Sequence, residues 1–185
     1  MQIRISEELN TILLYARDEA MRTGSYAIAA DHLMLGILRH GENAACRLLR
    51  DLGVDLPAFK RFVDTCLFRE CSIPYSAGDK MTVARSAQNV INMAAFEALK
   101  AGSKEVEALH LLLALSRTSG TATAARLAES GADTRALMAR LEGQGWKQKE
   151  RVQAPAEEEV SQTMESQIRS LVMITPSSGR GKLPS

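Results

Sequence analysis

The sequence predicts an all-α fold, a pseudo-twofold duplication of a four-helix repeat (an eight-helix bundle) with a largely disordered C-terminal tail. Two observations carry this. The first is a repeat 78 residues apart: Ala16-Arg17-Asp18-Glu19-Ala20-Met21-Arg22-Thr23-Gly24-Ser25 returns as Ala94-Ala95-Phe96-Glu97-Ala98-Leu99-Lys100-Ala101-Gly102-Ser103, and Asp31-His32-Leu33 returns as Leu109-His110-Leu111. The same offset pairs Arg39 with Arg117, Leu49 with Leu127, Gly53 with Gly131 and Asp55 with Asp133. Self-similarity at a fixed spacing marks two copies of one supersecondary unit. The second is periodicity: apolar residues recur at helical steps, and no segment alternates with period two long enough to argue a strand.

Each element follows in order. Leu9, Ile12, Leu13, Ala16 and Ala20 form one stripe of a helix opening at Ser6, matched by Ala87, Val90, Ile91, Ala94 and Ala98. Gly24 and Gly102 follow, where a helix end favours positive φ. A short leucine-rich helix comes next, Asp31 to Arg39 and Leu109 to Arg117. A third spans about Asn43 to Leu52 and Thr121 to Ser130, closed by Gly53 and Gly131. The fourth opens at Asp55 or Asp133, both good N-caps, with Pro57 in the first turn where it sacrifices no hydrogen bond. The expected core includes Leu13, Leu33, Leu35, Leu49, Ile91, Leu111, Leu113 and Leu127.

The expected domain spans 1–142, with repeats at about 5–66 and 82–142 and a connection at 67–81 punctuated by Pro74 and Gly78. Residues 143–185 read as linker and tail: charged text from Lys147 to Arg151, an acidic run Glu157-Glu158-Glu159, and a Ser/Gly/Pro-rich end. Within it Val160, Met164, Ile168, Leu171 and Val172 outline an amphipathic helix at 160–173. Such a helix is marginal alone. It is expected to be disordered by itself or to lay its stripe into a groove.

Composition narrows the function classes. Net charge is +1, from 23 basic and 22 acidic side chains, which leaves no electrostatic footprint for nucleic acid or an anionic membrane. Cys46, Cys66 and Cys71 are an odd number without CxxC, the pattern of reduced thiols. The start carries no apolar leader and no apolar run approaches the ~20 residues of a membrane span. A cytoplasmic protein is the expectation.

The residues then carry a resemblance. Ser6, the Ala16–Gly24 pattern, Asp31-His32-Leu33-Met34-Leu35-Gly36-Ile37-Leu38-Arg39, Gly41-Glu42 and Leu52-Gly53-Val54 resemble the N-terminal domain of Clp ATPases, over roughly residues 3–142 and in both copies. That resemblance implies a recognition module that binds adaptors and substrates for ATP-dependent proteolysis or disaggregation. Implied partners are adaptor or substrate proteins, or a Clp ATPase or protease, with no nucleic acid and no membrane. The sequence has no GxxxxGK[ST] loop to cradle ATP phosphates, so neither catalysis nor a cofactor is expected. The alternative is a helical regulator binding nucleic acid or another partner outside the Clp system; Arg4, Arg17, Arg22, Arg39, Arg47 and Arg50 make the first repeat locally basic.

Some members of the resembled family bind phosphorylated arginine through a threonine opening the first helix and a glutamate before His-Leu. Those positions are Ser6 and Asp31 in the first repeat, and Ala84 and Leu109, which cannot serve, in the second. Ser6 and Asp31 are therefore the candidate ligand-binding residues, with helix capping as the simpler role for both. His32 and His110 are repeat mates, but no cluster of further ligands stands at metal spacing, so both are expected to be satisfied histidines at helix starts. Cys46 reads as a buried thiol, and Glu7, Glu8, Asp18 and Glu19 as a solvated acidic face.

Overall fold

A computed structural model describes residues 3–69, 71–147 and 156–178, with side chains through Leu171. The first repeat contains α1 (Glu7–Arg22), α2 (Ala30–His40), α3 (Ala44–Asp51) and α4 (Leu56–Leu67). The second contains α5 (Arg85–Lys100), α6 (Ala108–Arg117), α7 (Ala122–Glu129) and α8 (Thr134–Gly143). Five helices are capped by side chains, whereas Asp31, expected to cap its own helix, lies inside the first turn of α2, whose N-cap is Ala29. Ser6, Asn43, Asp55, Thr121 and Asp133 each accept a hydrogen bond from the amide three residues on.

The eight expected core residues are all buried, from Leu13 at 3% exposure to Leu35 and Leu113 at 0%. Helix α1 packs along α2, and α5 along α6, while α3 against α6 and α4 against α7 join the repeats. The close α1–α2 approach depends on Gly36, where an added Cβ would sit 2.5 Å from the Ile12 carbonyl oxygen. At Gly24 the backbone has φ +84°, and a Cβ would collide with the Cys71 carbonyl oxygen. Only glycine fits that turn.

The all-α architecture stands, but the lack of period-two alternation does not mean a lack of strands. Four two-residue strands, β1 (Arg4–Ile5), β2 (Ala27–Ile28), β3 (Thr82–Val83) and β4 (Glu105–Val106), form two parallel pairs. A strand that short has no measurable alternation. The pairs obey the repeat instead of opposing it: β1 corresponds to β3 and β2 to β4, yet β1 pairs with β4 and β2 with β3. Each repeat thus completes its partner's strand pair. The connection also holds a 3-10 helix over Tyr75–Lys80, where a loop is expected from the sequence.

The amphipathic helix expected at 160–173 takes the docked of its two expected forms and is longer at both ends. Glu157–Ser178 form α9, which starts at the acidic run and lies across α5, α1, β1 and the 3-10 helix. Val160, Met164 and Ile168 are 2%, 0% and 3% exposed. The stripe is stable as a helix because the bundle supplies the apolar surface it lacks alone. Polar contacts fix its register. The Gln167 side chain accepts from the Ile5 amide at 2.8 Å and donates to the Ile3 carbonyl at 3.2 Å, as a neighbouring strand would. Asn92 donates to the Ser161 hydroxyl at 3.1 Å. The linker at 148–155 and the end at 179–185 lie outside the described residues.

Candidate functional site

Ser6 ends β1 and begins α1. Its hydroxyl accepts from the Leu9 amide at 3.1 Å, and its own amide donates to the Val106 carbonyl at 3.1 Å. The helix start therefore faces β4 of the second repeat. It carries Glu7 and Glu8 in its first turn, with Glu105 and Glu107 on the facing segment. Burial, then Glu8 and Glu105, push the Glu107 carboxyl above the usual range. Arg4 offsets part of this field through a 2.8 Å ion pair with Glu105. An anion arriving at α1 would find the helix dipole opposed by carboxylates.

Asp31 stands in the first turn of α2 and reaches the other repeat. Its carboxylate accepts from the Ala122 amide (3.3 Å), the Thr123 amide (2.9 Å) and the Thr123 hydroxyl (2.7 Å). It is a second cap on α7, supplied across the repeat boundary. The structure does not bring Ser6 and Asp31 together: Ser6 is tied to β4, whereas Asp31 is tied to α7. The repeat mates differ as expected, Ala84 capping α5 without a side-chain bond and Leu109 being 8% exposed. Beside the start of α5 lies a cleft of about 460 Å³, bordered by Thr82, Arg85 and Gln88 and walled by Glu165, Ile168 and Arg169 of α9.

The histidines show one satisfied case and one that is not. His32 Nδ1 accepts from the Ala29 amide at 2.9 Å, which places the proton on Nε2, 3.1 Å from the Thr23 hydroxyl. Burial pushes its pKa down to about 4, against a smaller opposing effect of Asp31. His110 Nδ1 likewise accepts from the Glu107 amide at 2.9 Å, and burial lowers it to about 4. Its Nε2 has no partner among the described residues. The expectation that both are satisfied holds for His32 alone.

The expectation of a solvated face at Glu19 is also corrected. Glu19 is 3% exposed, paired with Arg22 at 2.6 Å and Arg39 at 3.5 Å. Its mate Glu97 is 2% exposed, paired with Lys100 at 3.5 Å and Arg117 at 3.0 Å. A buried carboxylate between two cations is thus part of the repeat's own architecture, detectable in the sequence as Glu-x-x-Arg/Lys with a distant arginine at the same offset. Cys46 is buried, its thiol directed at the Ile37 carbonyl at 3.4 Å and pushed up by burial. Among the described residues no three His, Cys, Asp or Glu side chains are placed to hold a metal ion, and no helix is long and apolar enough to cross a membrane.

The comparisons with known proteins agree with this architecture. The family model of the Clp repeat N-terminal domain matches residues 4–107 and 80–180, and the chain belongs to that family. It is 31% identical over 128 residues to the "Negative regulator of genetic competence ClpC/MecB" of Bacillus subtilis (strain 168), covering 67% of this chain and 15% of that protein. The chaperone protein ClpB of Oceanobacillus iheyensis is 28% identical over 124 residues, with the same coverages. The chain thus spans about 15% of the length of these relatives. Among solved structures, the N-terminal domain of Hsp104 from Candida albicans aligns with a TM-score of 0.63 at 16% identity, covering 78% of this chain and 94% of that one. The N-terminal domain of ClpD from Arabidopsis thaliana aligns at 0.57 and 19%, covering 75% and 97%. These last two establish the fold.

Proposed function

We propose that this chain is a non-catalytic protein-interaction module of the Clp system, recognising adaptors or substrates destined for ATP-dependent proteolysis or disaggregation. Family membership across both repeats is the observation that carries the reading. The seating of α9 supports it, because Val160, Met164 and Ile168 demonstrate that the bundle surface accepts an amphipathic helix. On this reading Ser6 and Asp31 serve as caps, since their polar atoms are already engaged within the fold.

The test is a binding and turnover experiment with purified chain. Reduced, carboxymethylated α-lactalbumin, which stays unfolded, is titrated against the chain, and its degradation by a reconstituted Clp ATPase–protease is followed with and without added chain. Saturable binding and an altered degradation rate are expected. No binding to the unfolded protein or to any component of the ATPase–protease removes the reading.

A further inference from the structure

The two repeats differ at one buried point with chemical consequences. In the first repeat the Nε2 proton of His32 is met by Thr23. In the second, the position equivalent to Thr23 is Ala101, and no hydroxyl is present. His110 is nevertheless 1% exposed, and its Nδ1 accepts from the Glu107 amide, so the neutral ring carries its proton on Nε2, which has no partner among the described residues. A buried N–H donor without an acceptor is costly.

A second such donor stands beside it. Trp146 packs its indole against His110, with ring centroids 5.5 Å apart at 50°, and its Nε1 also has no partner among the described residues. Trp146 is carried on the turn after α8, where Gly145 has φ +92° and the Trp146 amide donates to the Leu141 carbonyl at 2.9 Å. Its repeat mate, Phe68, is 62% exposed. Both residues line one cleft of about 370 Å³, whose wall also includes Ala101, Ser103, Glu107 and Lys147, while the two N–H groups themselves lie buried behind it. That volume exceeds the ~30 Å³ share of one water molecule.

We propose that this cleft is a binding site for a neutral amide, the carboxamide of an Asn or Gln side chain or a peptide group presented by a partner. An amide carbonyl supplies an acceptor that His110 Nε2–H and Trp146 Nε1–H lack among the described residues, and its N–H supplies a donor to the Glu107 carboxylate. A carboxylate ligand fits less well, because Glu107 already lies in the field of Glu8 and Glu105. Entry requires the Trp146 ring to tilt about its side-chain torsions while its backbone stays tied to α8. The site uses neither Ser6 nor Asp31, although its Glu107 also faces the start of α1.

Trp146 is the sole tryptophan, so its emission reports the site directly. The full chain is titrated with propionamide (a primary amide), N-methylacetamide (a peptide-group mimic) and propionate. A saturable emission shift with one or both amides is expected, with the stronger responder identifying side-chain or main-chain recognition, and propionate at least tenfold weaker. Ala101→Thr places a hydroxyl where the first repeat has one; it should leave the fold intact by circular dichroism and weaken the amide response at least tenfold. Glu107→Gln should weaken it several-fold. A propionate response equal to the amides, an unchanged response in Ala101→Thr, or no saturable shift in the wild-type chain overturns the proposal, the last outcome leaving an enclosed water as the occupant.

Discussion

The Asp31 carboxylate accepts the Thr123 hydroxyl at 2.7 Å across the boundary between the repeats. The same oxygen accepts the Thr123 amide at 2.9 Å, so one side chain of the first repeat closes the N-terminus of a helix in the second. Thr123 is fully buried, and removing its acceptor strands a hydroxyl and an amide inside the interface.

Asp31→Ala should therefore lower stability by about 1–3 kcal/mol, the combined range for a lost cap and stranded buried donors. Asp31→Asn, which keeps an acceptor oxygen, should lose less. Urea unfolding of the two variants checks the order, and an Ala variant as stable as wild type removes the inter-repeat cap from the account.

The capping roles also predict how phosphoarginine behaves. Calorimetry should detect no saturable binding, because Ser6 and Asp31 face different segments and carboxylates surround α1. Binding that vanishes in Asp31→Ala and survives in Leu109→Ala would make Asp31 a ligand contact instead.

Leu35 is fully buried, so Leu35→Ala should cost about 2–5 kcal/mol, the usual range for a truncated core leucine. The same denaturant series measures it.

Acid sensitivity follows from the two histidines. Burial holds His32 and His110 at about 4, below the ordinary 6.5, so the unfolded chain binds protons that the folded one refuses. Their contribution is fully present above pH 6.5 and is lost as pH falls from there towards 4. Between pH 7 and pH 5 each should cost about 2 kcal/mol. Unfolding free energies that stay flat across that window would show that the histidines titrate normally.

Helix α9 should behave as part of the domain. Amides near Val160, Met164 and Ile168 should be protected from hydrogen exchange in the free protein, and deletion of 156–185 should expose apolar surface and raise binding of a hydrophobic dye. Fast exchange throughout 157–171 would contradict the docking.

Much of this was legible because the repeat states each feature twice. Leu33 and Leu111, or Asp55 and Asp133, confirm one another at a fixed offset, so the core and the local caps were legible, while the cap Asp31 lends to α7 has no mate to announce it. The strands escaped because two residues have no period. Whether the Val160–Ile168 stripe finds a groove is a tertiary matter that periodicity cannot decide. For the candidate site, Ser6 and Asp31 were identifiable as polar helix-start residues, but their separation follows from strand pairing that their positions do not encode. The Thr23–Ala101 difference lay in the aligned repeats; only the ring geometry of His32 gives it meaning.

The exchanged strands have an evolutionary consequence. One copy of the repeat, alone, would leave β1-type and β2-type edges bare, and two identical copies would satisfy both at once as an isologous dimer. Joining the copies in one chain replaces a concentration-dependent encounter with a permanent one. It also releases each copy from having to complement itself, so Asp31 can face Thr123 while Leu109 occupies the mirrored place, and a homodimer has no means to hold that difference.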